Sequence, residues 1–248
     1  MIFPRKKFRW LLIILSGVAA GIAISELLVI KLFSEIIIRK SDIKEATFKI
    51  LLVSFLIFFL ITRLGQYFQR SYRVKAFEKN FKFAGERVVR KNENAEWVMA
   101  FELTNILSYF TQIIAILVFF IFISPFLSLI NVVIIICILH VIGRIFNQQL
   151  ILQRKAQVLD NTKTSIPAYQ HTNRVRAGEG GALISGVGML ILLVVLLFFN
   201  INQQISISNT LVVFLGARLQ SSVLSNISRS LAKYARSQVV ITGDTNAE

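Results

Sequence analysis

The sequence contains one cysteine and only three prolines in 248 residues. A single cysteine, Cys137, cannot form a disulfide within the chain, so nothing supports a disulfide-stabilised fold or a redox site. Charged side chains are also scarce, at 17% of the residues against the roughly 25% of soluble domains. A water-soluble fold of this size would lack the polar surface needed to enclose the rest of the chain.

Patterns that carry catalysis or cofactor binding are missing as well. The two histidines, His140 and His171, are far apart, with no cysteine or carboxylate at metal-ligand spacing. The glycine-rich stretch 178–181 lacks the following Lys-Ser/Thr that a phosphate-binding loop requires. We therefore expect no enzyme activity and no cofactor or metal in this chain. We interpret Arg176–Gly181 as a flexible segment leading into a helix.

Apolar residues dominate the composition, at 55% of the chain, and the mean hydropathy is +0.66. A helix needs about 20 mostly apolar residues to cross a bilayer. The segments that reach or approach this length are 8–38, 48–62, 102–124, 126–146, 182–200 and 205–232. We predict an all-α polytopic membrane protein with six transmembrane helices, forming one domain over residues 1–238 with a short cytoplasmic tail at 239–248.

The net charge of +15 would suggest nucleic-acid binding in a soluble protein. Here the basic residues lie mostly between the apolar segments, which indicates the positive-inside rule and attraction to lipid headgroups instead. The two long basic connections, 63–100 and 147–181, fall on the same side as both termini if six helices span. We therefore expect both termini and both long connections in the cytoplasm, in a bacterial plasma (inner) membrane. The basic link 39–49 is the one exception.

Both long connections are predicted to be helical excursions into the cytoplasm. In the first, residues 65–91 include no proline, and several apolar residues share one helical face. These residues are Val74, Phe77, Phe81, Ala84 and Val88. Either the second helix continues into the cytoplasm, or a separate amphipathic helix lies on the membrane surface. The second connection is predicted to be helical from Phe146 to about Asp160, and Pro167 breaks that helix.

Six helices, two long cytoplasmic excursions and two tight outer links resemble the transmembrane domain of ABC exporters. Gly186–Asn200 is similar to the family's fifth helix, Gln204–Leu215 to its turn and the start of its sixth helix, and Leu231–Arg236 to the exit of that helix. The resemblance covers about residues 8–238. It implies a translocation pathway in a homodimer or heteromeric complex, powered by a separate ATPase subunit. The excursions are shorter than is usual in the family, and the chain includes no ATPase domain.

Polar residues inside the apolar segments are the candidates for a pathway or a helix interface. Glu26, in the first segment, is open to three interpretations: snorkelling to the outer interface, a substrate or proton role, or an interhelical contact. The lower half of the sixth segment is unusually polar for a lipid-facing surface, which favours interhelical hydrogen bonds or a cavity wall. Its candidate residues are Arg218, Ser221, Ser222, Ser225 and Asn226.

Three functions remain open at this point. The first is an exporter-like transport subunit that works with a separate ATPase. The second is a non-transporting six-helix scaffold, or an accessory subunit of a larger membrane complex. The third is an ion-coupled secondary transporter, which would call for broken helices or repeat symmetry that the sequence does not clearly show.

Overall fold

The structure is a computed structural model that describes residues 6–38, 45–82, 90–161 and 167–245. These ranges contain six α-helices and no strand, and each helix includes a segment long and apolar enough to cross a membrane. The helices are α1 (Lys6–Ile38), α2 (Glu45–Lys82), α3 (Arg90–Ile123), α4 (Pro125–Asn161), α5 (Pro167–Ile201) and α6 (Ile207–Thr245). The prediction of an all-α protein with six such helices is confirmed.

Two of the connections are tight turns with local capping. Between α3 and α4, the Ser124 Oγ accepts a backbone N–H from three residues further on at 3.5 Å. Pro125 then takes the first helical position, where a missing N–H costs nothing. Between α5 and α6, the Asn209 N–H donates to the Ser206 Oγ at 3.3 Å and caps α6. The two turns define antiparallel pairs, α3–α4 and α5–α6.

α6 is the central helix of the bundle. It packs against α1, α3, α4 and α5, whereas α2 packs on α1 and touches α3 only slightly. One apolar cluster around α6 includes Phe120 and Val213, and a second includes Leu224 and Ile227. Lipid is as apolar as these side chains, so close packing rather than removal from water holds the helices together.

Two helices continue well beyond their apolar spans. The apolar segment 48–62 lies in α2, which runs on to Lys82, and the apolar segment 126–146 lies in α4, which runs on to Asn161. Continuation of the second helix is thus confirmed as far as Lys82, and Ala84 and Val88 lie outside the described residues. The helix predicted from Phe146 is confirmed too. At the other end of the chain, α6 continues past residue 238 to Thr245.

The prediction of a flexible segment at Arg176–Gly181 is wrong. α5 begins at Pro167 and runs through the whole stretch as helix. The reason lies in packing, because Gly181 is buried against α6 and a Cβ at this position would overlap the Ser228 side chain. Gly181 therefore allows two helices to approach closely and does not make a turn.

Candidate functional site

A cavity of about 390 Å³ lies between α2 and α6, with α1 as its floor. We call it the α2–α6 cleft. Its lining residues are Glu26, Val29 and Ile30 from α1, Phe59, Thr62 and Arg63 from α2, and Leu215, Arg218, Leu219 and Ser222 from α6. Within the described ranges α2 and α6 do not pack against each other, so the cleft separates them.

Two glycines bring the walls of the cleft close to its floor. A Cβ on Gly65 of α2 would lie 3.0 Å from Cγ1 of Ile22, and a Cβ on Gly216 of α6 would lie 2.9 Å from Cδ2 of Leu27. The absence of a side chain lets each backbone approach α1. Each glycine is two residues from an arginine of the cleft, so Arg63 and Arg218 reach the same cavity from opposite walls.

Glu26 is hydrogen-bonded to α2. The Gln66 Nε2 donates to the Glu26 Oε1 at 2.6 Å, and the Arg63 Nη1 donates to the Gln66 Oε1 at 3.4 Å. The Gln66 amide therefore connects the carboxyl of α1 with the guanidinium of α2. Such a bond is the interhelical contact that was one of three interpretations of Glu26, and a substrate or proton role remains a hypothesis.

The two arginines of the cleft differ in their surroundings. The Arg63 guanidinium lies 5.2 Å from the centroid of the Phe59 ring, a cation–π geometry. Arg218 is exposed and has no hydrogen-bond or ion-pair partner in the part of the chain that the structure describes. Even with Glu26 ionised, two guanidiniums face one carboxylate, an excess of one positive charge. An unpartnered arginine at membrane depth is costly, so Arg218 requires water or an anion.

One face of α6 changes character along the helix. Its exposed residues near the start are apolar: Ile207, Leu211 and Phe214. Its exposed residues further on are polar or basic: Arg218, Ser222, Arg229, Lys233 and Arg236. At 100° per residue all these positions fall in a sector of about 100°. We call this sector the α6 face, and its change from apolar to polar begins at the cleft.

The remaining candidates on α6 lie away from the cleft. Ser225 is buried, Ser221 and Asn226 are half-buried, and none of the three lines the cavity. Three of the residues chosen from the sequence, Glu26, Arg218 and Ser222, are thus brought together. Sequence reasoning missed the cleft role of Arg63, which it had assigned to the first cytoplasmic excursion. Leu64 is exposed, so the apolar surface of α2 continues past Arg63. The leucine directly after this arginine is the sequence signal that could have placed Arg63 within the membrane-spanning part of α2.

Polar pairs that include buried groups, also missed from the sequence, join α6 to α3 and α4. The Lys233 Nζ lies 3.1 Å from the Glu102 Oε1, and the Asn105 Nδ2 donates to the Glu102 Oε2 at 3.1 Å. The amides of Asn131 and Gln220 exchange two hydrogen bonds, of 2.8 and 2.9 Å. These bonds satisfy polar groups that would otherwise be stranded among apolar side chains.

No group of histidine, cysteine or carboxylate side chains suited to a metal occurs among residues 6–38, 45–82, 90–161 and 167–245. Fold and cleft together define an integral membrane protein of six apolar helices with a charged lateral cavity. No protein-family model matches the chain, and no curated protein matches it significantly.

Proposed function

We propose that this chain is a membrane subunit that forms a translocation pathway along the α2–α6 cleft and the α6 face, powered by a separate ATPase subunit. The observation that carries the proposal is the change in the α6 face at Arg218. Helix surfaces that contact hydrocarbon are apolar, because lipid cannot satisfy polar or charged groups. The part of this face from Arg218 onward must therefore meet water or a partner.

The charge on this face favours water. Arg218, Arg229 and Arg236 are exposed and have no hydrogen-bond or ion-pair partner among the described residues. Two copies of the face pressed together in a dry interface would repel each other and leave buried charges unpaired. Two copies that face each other across water would instead enclose a polar pathway. A homodimer, or a heteromer with a similar subunit, completes the pathway in this proposal.

The extended helices offer a place for the energy source. From Arg70, where basic residues begin to recur in the sequence, α2 continues to Lys82 for about 18 Å, at 1.5 Å per residue. α4 likewise continues from the basic pair at 154–155 to Asn161. By the positive-inside rule these basic extensions and both termini lie in the cytoplasm of a bacterial plasma membrane. A separate ATPase would bind there, as the resemblance to ABC exporters implies.

The test combines purification with chemical labelling. The chain is isolated in mild detergent, any co-purified ATPase is identified, and the complex is returned to vesicles. Ser222→Cys, in a Cys137→Ser background because Cys137 is exposed, should react with a membrane-impermeant maleimide at a rate that changes when ATP is hydrolysed. Phe214→Cys, on the same face, is the matched control and should not react. A Ser222→Cys rate that ATP does not alter, in a complex with active ATPase, would contradict the proposal.

A non-transporting scaffold is the second candidate. The buried pair Asn131–Gln220 and the half-exposed ion pair Glu102–Lys233 fix α6 to α4 and α3, which suits a rigid surface for another membrane protein. In that case a partner helix covers the α6 face. Ser222→Cys would then be protected in the intact assembly, would react only after the assembly dissociates, and no ATPase would co-purify.

A further inference from the structure

We propose that the α2–α6 cleft binds the acidic headgroup of an anionic phospholipid taken from the surrounding bilayer. Arg218 and Arg63 would hold the phosphate, and the apolar end of the cleft would hold the start of an acyl chain. The inference does not depend on transport, because such a site would bind lipid equally in a scaffold.

The charge of the cleft selects an anion. Its two guanidiniums exceed its single carboxyl by one charge, and Gln66 already donates to that carboxyl. Arginine presents several N–H donors in a planar fork, which matches the oxygens of a phosphate. Ser222, on the next turn of α6 after Arg218, adds a hydroxyl donor to the same wall. An anion here would compensate Arg218, which has no partner among the residues described.

The distribution of side chains along the cleft selects an amphiphile over a small ion. On each helix an apolar lining residue lies on the same side of the charged one, although Leu219 also lines the cleft next to Arg218 on α6. Val29 and Ile30 follow Glu26 on α1, Phe59 precedes Arg63 on the antiparallel α2, and Leu215 precedes Arg218 on α6. α1 runs antiparallel to both α2 and α6, so these apolar residues lie at the same end. A free phosphate would leave that end unfilled.

The cleft also has access for a lipid. Since the described residues of α2 and α6 do not pack together, the cavity is open sideways between Phe59 and Leu215, and the neighbouring Leu60 and Phe214 are exposed apolar residues. A second cavity of about 500 Å³, lined by Arg63, Gln66, Tyr67 and Ser71, continues from Arg63 along α2. It extends as far as Ser71, away from the apolar residue Phe59. A headgroup can therefore reach the arginines along a polar route while its chains stay in lipid.

The test measures lipid retention on the full chain by native mass spectrometry. The protein is equilibrated with equal amounts of phosphatidylglycerol and phosphatidylcholine in detergent. We expect one phosphatidylglycerol to be retained per chain in preference to phosphatidylcholine. Arg218→Gln and Arg63→Gln should each lower retention about tenfold, since each removes charge-assisted hydrogen bonds. Ser222→Phe, which fills the cleft and keeps both arginines, should also lower it.

The matched control is Arg229→Gln. Arg229 is exposed on the same α6 face and has no partner in the described part of the chain, but it does not line the cleft. Its replacement should leave retention within about twofold, the range expected for a distant surface charge. Equal retention of the two lipids, or equal losses from Arg229→Gln and Arg218→Gln, would overturn the proposal. Displacement of the lipid by inorganic phosphate alone would also overturn it. The variants lie on two helices, so a folding defect in one leaves the other decisive.

Discussion

α6 and α2 form the two walls of one cleft but are held in the bundle very differently. In the apolar segment of α6, 39% of the residues are buried inside the bundle, whereas in that of α2 only 6% are. α6 is fixed by the reciprocal amide pair Asn131–Gln220 and by the bond between Lys233 and Glu102. α2 rests on α1 with few other contacts, and the bond from Gln66 to Glu26 attaches it there.

This difference shows how a helical bundle can combine a stable core with an adjustable cavity. Helix association in lipid depends on close packing and hydrogen bonds, because burial from water is not available. A helix that has few packing contacts and few hydrogen bonds can move away from the bundle at a small cost in free energy. We therefore expect changes in the width of the cleft to come from α2, while α6 stays in place.

The largest loss of stability should come from a bulky side chain introduced into α6, the firmly held wall of the cleft. Gly216→Leu places side-chain atoms where a Cβ alone would lie 2.8 Å from the Phe120 ring and 2.9 Å from Leu27. Both neighbours are fully buried, so they cannot move aside without disturbing the core. The free energy of unfolding should fall by about 3 kcal/mol or more. Denaturant titration in mixed micelles measures it.

The control for this prediction is Gly17→Leu. No heavy atom lies within 4 Å of a Cβ built at Gly17, which is exposed. Its replacement should change stability by less than about 0.5 kcal/mol. Similar losses for the two variants would show that α6 is not packed against α1 and α3 as described.

A smaller loss is expected when the amide pair is broken. Gln220→Leu leaves the buried Asn131 amide without its partner and should lower the free energy of unfolding by about 1–2 kcal/mol. Replacing both residues with leucine should recover part of that loss, since no polar group is then stranded. The double-mutant cycle in the same micelles measures the coupling, and strictly additive losses would argue against the pair.

The smallest effect on stability should be in α2. Gln66→Leu removes the bond to Glu26 and should cost less than about 1 kcal/mol, because α2 contributes little to the core. Spin labels at Leu60 and Leu211, both exposed, should nevertheless report a broader distance distribution between α2 and α6. Gln220→Leu should leave that distribution unchanged. The reverse result would mean that α6, and not α2, is the loosely held wall.

The number and approximate position of the helices could be predicted from the sequence, because hydrocarbon thickness fixes the length of an apolar segment. The residues at which the helices begin and end could not be predicted. The third apolar segment is predicted to begin at about Glu102, whereas the helix that contains it begins at Arg90. A carboxylate normally ends an apolar span, whereas Glu102 is buried because Lys233 and Asn105 satisfy it. Lys233 belongs to a helix distant in the sequence, so hydropathy gives no sign of the pair.

Three residues of the candidate site could be predicted from the sequence, but their assembly into a cleft could not. Glu26, Arg218 and Ser222 stand out because they are polar within apolar segments. Their meeting depends on the close approach of α2 and α6 to α1 at Gly65 and Gly216, which the sequence pattern does not reveal. Gly181 also shows that a glycine's role depends on its neighbours in space. Its sequence context predicts flexibility, whereas in the structure it allows a tight contact between α5 and α6.

The most direct test of the account is a cysteine scan of the α6 face in sealed vesicles. Leu211, Phe214, Ser222 and Arg229 are replaced singly by cysteine in the Cys137→Ser background, and their reaction with a membrane-impermeant maleimide is followed from each side. We predict no reaction at positions 211 and 214 and reaction from one side at 222 and 229, because water reaches the face only beyond Arg218. If position 222 is as unreactive as position 211 in the isolated chain, the cleft is not open to water and the account is contradicted.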